Sequence, residues 1–530
     1  MVTNNGEIKA FSGSRMRMTA GQLILLLILL MGLITRLYQL GEESLWHDEG
    51  VSVRIAQTES TLEILNPGQL DDNPPFYYLI LHGWVKVFGA SEFSVRFPSL
   101  IFSVVTVFFL YKLAFLLYEE KTALGAAGLL CLSGYHVYYA QEARGYTLMA
   151  LESVISMYFF VKLNAKSNRA NGIGYVISST LLLYTHSYSL FVILGQNLYL
   201  SGLAIFSPLS RRIRWKNWLL LQGGLVILFV PWLRVLLGKI IRIQTTGLLW
   251  APSILDVPGA FKTFSGDSAW MGVFFILLAG GALIWFKQNG AGKGEAGQMR
   301  SGKTIYRHIG FSHLEQGGLL WCWLGVLIIL PYVISLVSTP IMQSRYLIAA
   351  SPAFYILVSR GIFNLNRKLL IFLTAGVVLG FYPGEIYRNY NRTNKEAWRE
   401  AVGRLENEAE AGDAVLVNAN YCLGNIYNYY GRRTDLDKNP FPKEGKEISE
   451  ENIRHLTAIA EKYDRIWLVL SHESKNIDLL TESLIRTHQL AEHWIFYRIK
   501  IYLFKKVPAK FKLGILGKGK IGFSFFLFKL

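Results

Sequence analysis

Cysteine is almost missing from this chain of 530 residues. Cys131 and Cys322 lie in apolar runs and Cys422 stands alone, which excludes a disulfide framework and a zinc site built on cysteine spacing. No Gly-rich phosphate loop is found, so there is no sign of a nucleotide-sugar site. No small-residue cleavage site precedes Trp46. The first apolar run, with Lys9, Arg15 and Arg17 ahead of it, therefore reads as an uncleaved anchor and not as a signal peptide. Charge is scarce too, at 17% of residues against 52% hydrophobic, which is not the balance of an ordinary soluble enzyme.

What the chain has in abundance is apolar runs. A bilayer crossing needs roughly 20 apolar residues, and about eleven runs qualify by length: 22–40, 95–117, 122–140, 145–161, 171–186, 188–206, 217–235, 269–286, 317–337, 346–363 and 369–385. With the N-terminus in the cytoplasm, the inner segments carry 18 Lys and Arg and the outer loops 7, the expected positive-inside bias. The net charge of +17 is then a property of cytoplasmic loops and implies no nucleic-acid partner. The expected architecture is an α-helical polytopic membrane protein with a small C-terminal α/β domain. Residues 1–21 form a cytoplasmic N-terminus. Residues 22–388 form the transmembrane domain, with an outer-face loop over 41–94. Residues 389–505 form an extracytoplasmic α/β domain and 506–530 a basic, aromatic tail. In the α/β part, 395–410, 451–463 and 481–489 read as helices and 413–418, 465–470 and 494–504 as strands or a hairpin.

Charged residues gather at one end of the spans. Ser44-Leu45-Trp46-His47-Asp48-Glu49-Gly50 follows the first run. Neighbouring side chains diverge on either a helix or a strand, so one carboxylate of the pair is expected to face a cavity and the other to brace backbone or a cation. Its plain alternative is a solvated, helix-capping acidic pair. Farther on come Asp71-Asp72-Asn73-Pro74-Pro75 and the run Phe76–Phe88. That run is too short to span and suits an interfacial helix started by the double proline. The turn after the third run holds Gln141, Glu142 and Arg144 among tyrosines. Tyr184-Thr185-His186-Ser187-Tyr188 joins two spans, and Gln343-Ser344-Arg345-Tyr346 lies on the same outer side. An aromatic belt accounts for the tyrosines but not for Gln141, Glu142 and Arg144 together. His186 on its own reads more simply as structural.

The order of these stretches resembles the membrane-embedded C-type glycosyltransferases of the protein O-mannosyltransferase and aminoarabinose-lipid A transferase group. The resemblance is carried by the acidic pair, then D-N-P-P-F-Y-Y-L, S-E-F-S-V-R-F-P-S, Y-A-Q-E-A-R-G-Y-T-L, Y-T-H-S-Y and S-R-Y-L. It covers roughly residues 20–365. One departure is Asn73, where many relatives have His before the double proline, which weakens a metal or proton-transfer role there. The resemblance implies a polyprenyl-phosphate-sugar donor and inverting transfer to an acceptor hydroxyl at the outer face of the cell membrane. It casts Asp48 as the base with Glu49 as support, and Arg144 as the donor-phosphate ligand. Arg345 is a second phosphate candidate by position, since guanidinium suits bidentate phosphate binding. Glu142, His186, Asp71, Asp72 and Tyr346 are candidates for acceptor binding or for orienting the others. The acceptor is a lipid, glycan or protein, and membrane lipid is a partner. A divalent cation beside Asp48 stays an open alternative that no ligand spacing supports. The competing reading is a lipid-binding membrane protein or transporter without transferase activity. Such a protein would place ionisable groups near mid-membrane, whereas here they cluster at one face.

Overall fold

The structure is a computed structural model that describes residues 18–66, 73–206, 215–245, 252–289, 313–338, 340–365, 367–418, 420–442, 450–471 and 477–507. Asp71 and Asp72, Trp250 and Ala251, most of the inner loop 287–316 and the tail from 508 lie outside the described residues.

The chain opens with α1 (Ala20–Leu37), started by a capping box in which Thr19 and Gln22 each bond the other's backbone N–H. The loop 41–94 then folds as α2 (His47–Ala56), α3 (Thr61–Leu65) and α4 (Phe76–Phe88). Next come α5 (Glu92–Leu117), α6 (Glu120–Leu132), α7 (Gly134–Ala140), α8 (Tyr146–Ala165), α9 (Arg169–Thr185), α10 (Leu190–Phe206) and α11 (Trp215–Thr245). The series ends with α12 (Asp256–Phe264), α13 (Ala269–Asn289), α14 (His313–Val337), α15 (Ser351–Phe363) and α16 (Lys368–Tyr390).

Helices stand at all eleven expected spans, but they differ in kind. Among the described residues seven helices are long and apolar enough to cross a membrane, and an eighth candidate is the α12–α13 pair, bent by 89°. The run 122–140 is broken at Ser133 into α6 and α7. The run 346–363 starts with a 3-10 turn, Ser344–Ala349, before α15. At 1.5 Å per residue α15 is only about 20 Å long, and Ser351–Ile362 are all buried. It is buried all round because protein surrounds it, and its mostly apolar run is one that run length alone does not separate from a lipid-facing span.

After α17 (Trp398–Glu408) comes a mixed five-stranded sheet of order β2-β1-β3-β5-β4. Its strands are β1 (Ala414–Asn418), β2 (Asp437–Phe441), β3 (Arg465–Leu470), β4 (His488–Phe496) and β5 (Ile499–Lys506). β1 pairs in parallel with β2 and β3, and β5 runs antiparallel between β3 and β4. Two corrections to the sequence reading follow. β2, Asp-Lys-Asn-Pro-Phe, has no apolar alternation and a proline, which an edge strand tolerates. The helix expected at 481–489 runs instead over Ile477–Ile485, and the chain turns into β4 at His488. One apolar cluster joins the loop 41–94 to this domain. Leu45, Val53, Tyr77 and Leu81 share it with Trp398, Val402, Ile426, Tyr427, Trp467 and Ile501.

Candidate active site

α2 places the acidic pair. Its first turn holds Asp48 and Glu49, where the helix dipole favours negative charge, and the two side chains diverge as neighbours on a helix must. Glu49 points inward and is fully buried. Arg96 of α5 grips it in a fork, Nε to Oε1 at 2.8 Å and Nη2 to Oε2 at 2.9 Å. The same guanidinium donates to the carbonyls of Leu40, Glu43 and Ser44. Lys395 Nζ lies 3.2 Å from Oε2 and donates to the Gln141 carbonyl at 2.6 Å. The Ala143 N–H donates to Oε1 at 2.8 Å. Burial pushes the Glu49 carboxyl up, but Arg96 and Lys395 outweigh it and hold the group below the usual carboxylate range. Glu49 thus ties α2, α5, the 141–143 turn and the segment after α16 to one point.

Asp48 faces the other way and is 25% exposed. Its Oδ2 accepts from Arg345 Nη1 at 2.8 Å and its Oδ1 lies 3.3 Å from His47 Nδ1. Burial raises its pKa, but the His47 hydrogen bond and the charges of Arg144 and Arg345 together hold it well below the usual carboxylate range. Arg144 Nη1 donates to the Asp48 carbonyl and Ser52 Oγ at 3.2 Å and to Tyr78 OH at 3.3 Å. Beside Arg144 opens a narrow cleft, lined also by Asn73, Pro74, Tyr77, Tyr78, Tyr146, Thr185 and His186. The Asp48 carboxylate is not on its wall; it lies next to it, among the two guanidiniums.

His186 caps the 3-10 turn Ser187–Ser189, its Nδ1 accepting the Tyr188 N–H at 3.1 Å. In the neutral ring the remaining proton is then on Nε2. Tyr346 packs 4.6 Å from His186, 5.6 Å from Tyr188 and 6.3 Å from Tyr146, centroid to centroid. Glu142 is buried and does not line the cavity. Burial pushes its carboxyl up to about 7 against the pull of Lys395, with the charges of Glu49 and Asp48 adding to the rise. The structure therefore brings Asp48, Arg144, Arg345, His186 and Tyr346 to one place, sets Glu49 and Glu142 behind it, and leaves Asp71 and Asp72 outside the described residues. Among those residues no three His, Cys, Asp or Glu side chains are placed to hold a metal ion.

Sequence reasoning missed four contributing residues. Arg96 had a visible signal, a lone cation at the start of an apolar run. Tyr77 and Tyr78 read only as part of an amphipathic helix. Lys395 had no signal, since its partner Glu49 is 346 residues away.

Chemically, the arrangement offers paired guanidiniums for an anion, aromatic faces beside it and a carboxylate between the cations. Residues 72–234 match the family model described as dolichyl-phosphate-mannose-protein mannosyltransferase. No curated protein sequence matches the chain. Among solved structures, apo ArnT from Cupriavidus metallidurans superposes with a TM-score of 0.60 at 11% identity, covering 92% of this chain and 98% of that one. ArnT bound to undecaprenyl phosphate gives 0.58 at 12% identity, covering 90% and 97%. The Archaeoglobus fulgidus oligosaccharyltransferase in complex with Zn and sulfate gives 0.52 at 11% identity, covering 90% and 72%. The chain is an integral membrane protein with the ArnT-like fold of the membrane-embedded C-type glycosyltransferases, and its residues 72–234 resemble the dolichyl-phosphate-mannose-protein mannosyltransferases.

Proposed function

We propose that this protein moves a sugar from a polyprenyl-phosphate donor to an acceptor hydroxyl at the outer face of the cell membrane, with inversion. The observation that carries the reading is the convergence of Arg144 and Arg345 on Asp48 beside an aromatic-walled cavity. The family-model match and the ArnT neighbour bound to undecaprenyl phosphate support a lipid-phosphate donor.

The balance of the reaction suits these groups. The acceptor oxygen attacks the anomeric carbon opposite the phosphate, the glycosidic C–O bond breaks, and its electron pair leaves on the lipid phosphate. The acceptor proton goes to Asp48. The donor is a phosphate diester, and the polyprenyl phosphate monoester it releases leaves as an anion without protonation near neutral pH, so the leaving group needs cations and no general acid. Held low by His47, Arg144 and Arg345, Asp48 is a weak base in the free protein. A donor phosphate that takes over Arg144 and Arg345 as bidentate partners relieves part of that field and raises the basicity of Asp48 when it is needed. His186, Tyr146 and Tyr346 then face the sugar.

The test is release of sugar from a synthetic polyprenyl-phosphate donor by the purified protein, alongside donor binding. Asp48→Asn is nearly isosteric but cannot take a proton at neutral pH. It should lose about 10²–10⁴-fold in rate while still binding donor. Arg144→Lys and Arg144→Ala should weaken donor binding by roughly 1–3 kcal/mol. Normal turnover in Asp48→Asn would remove the base from this site, and donor binding with no turnover in the parent protein would favour a lipid-binding role.

A further inference from the structure

We propose that the C-terminal α/β domain is a working part of the active site, and that Asn425 is a positioning residue that sets the His47 imidazole against Asp48. The inference rests on the glycosyl-transfer reading for its kinetic consequence but on geometry for its existence.

Residues Leu423–Tyr427 form a π-helical turn just after β1, a rare form often found at functional sites. This turn lies directly on α2. Gly50 makes the approach possible, since a Cβ there would stand 2.6 Å from the Asn425 carbonyl oxygen and 3.0 Å from Ile426 Cδ1. Ile426 and Tyr427 are buried in the same apolar cluster as Leu45 and Val53. Hydrogen bonds pin the loop before α2 as well: Ser44 Oγ donates to the Glu396 carbonyl and the Leu45 N–H to Tyr430 OH, each at 2.6 Å.

From this platform Asn425 reaches the residue next to the carboxylate. Its Nδ2 lies 3.3 Å from His47 Nε2, and the Tyr421 ring stands edge-on to the imidazole at 4.6 Å. An amide NH₂ only donates. A hydrogen bond from it therefore requires the lone pair on Nε2 and places the ring proton on Nδ1. That proton points at Asp48 Oδ1, 3.3 Å away. The chain runs Asn425 Nδ2–H to His47 Nε2, then His47 Nδ1–H to Asp48 Oδ1, with Arg345 on Oδ2. A donor phosphate can draw off Arg345, but it does not reach the Asn425 side of this chain. His47 then holds the carboxylate in one orientation while Oδ2 turns to the acceptor. Loss of Asn425 should therefore appear in kcat and leave the donor KM alone.

The test uses the full-length protein with three substitutions. Asn425→Leu keeps the side-chain size and removes the donor. Asn425→Gln keeps an amide. Tyr429→Phe removes a different docking bond of the same domain, to the Ala90 carbonyl at 2.6 Å. Asn425→Leu should lower kcat about tenfold with the donor KM within twofold, Asn425→Gln should recover part of the loss, and Tyr429→Phe should keep kcat. A second readout needs no turnover. An unprotonated imidazole nitrogen attacks diethylpyrocarbonate and takes its carbethoxy group as ethyl carbonate leaves, and the rate at His47 is followed by mass spectrometry. It should rise several-fold in Asn425→Leu and stay at the parent rate in Tyr429→Phe. Equal losses of kcat in Asn425→Leu and Tyr429→Phe, or an unchanged His47 reaction rate in Asn425→Leu, would overturn the positioning role. A parent protein that turns over no lipid-phosphate sugar would count against the function proposed above, while the His47 rate would still decide this inference.

Discussion

Asp48 and Glu49 are chemically alike and adjacent, yet their surroundings give them different work. Glu49 has no contact with water and compensates two buried cations, Arg96 and Lys395. Removing one member of a buried ionic cluster leaves uncompensated charge and typically costs about 3–5 kcal/mol. Glu49→Gln should therefore lower the thermal midpoint in detergent by far more than Asp48→Asn, whose carboxylate is partly exposed. Equal midpoints for the two variants would show that the cluster does not hold the site together. Glu142 gives a pH signature. Its carboxyl is raised by burial from 4.5 to about 7, so between those values the folded protein binds more protons than the unfolded chain. Stability must then fall as pH rises from about 4.5 to 7 and level off above. The whole span is worth on the order of 3 kcal/mol at 1.36 kcal/mol per unit. Glu142→Gln should flatten that slope in melting curves taken from pH 5 to 8. A slope identical to the parent's would assign the proton to another group.

At the scale of elements, local signals carried far and then stopped. Thr19 and Gln22 announce the start of α1, Pro74 and Pro75 precede α4, and the apolar runs mark each helical position, because capping, proline geometry and bilayer thickness act over a few residues. The clustering of Asp48, Arg144, Arg345, His186 and Tyr346 was legible only through the order of motifs, since no local rule brings residues 48 and 345 within 2.8 Å. Lys395 and Asn425 were not legible at all. Both act through contacts with α2 across more than 300 residues, and in isolation each is an ordinary polar residue near a soluble-looking segment. The edge strand β2 escaped for a different reason: an edge needs neither alternation nor a full set of donors, so the pattern that defines inner strands is absent. α15 shows the reverse case, a short buried helix whose sequence reads like a lipid-facing span because enclosure by protein and by lipid select the same residues.

At the scale of the whole molecule, the contacts of Ser44, Leu45 and His47 with Glu396, Tyr430 and Asn425 put the sheet domain and Asp48 at the same end of the helical bundle. This fixes a parity. Among the described residues α1 precedes Asp48 and every other candidate crossing lies between Asp48 and Tyr390, so that interval must hold an even number of crossings and the described residues an odd total. Seven strict spans satisfy the rule; eight do not, unless one of the shorter helices α6–α7, α9 or α15 also crosses. Eleven satisfies it again. With eleven spans the Lys and Arg bias is 18 against 7, and the side expected for that shared end is then the outside. A periplasm-active alkaline phosphatase fused after Leu530 should therefore be active, and a fluorescent protein that matures only in the cytoplasm should stay dark there. The same pair inserted in the loop 287–316 should give the opposite pattern. Because the domain is bonded to the loop carrying Asp48, a cytoplasmic result at Leu530 would move Asp48 inside with it. The outer-face reaction would then be wrong at its root, however well Arg144 bound a lipid phosphate.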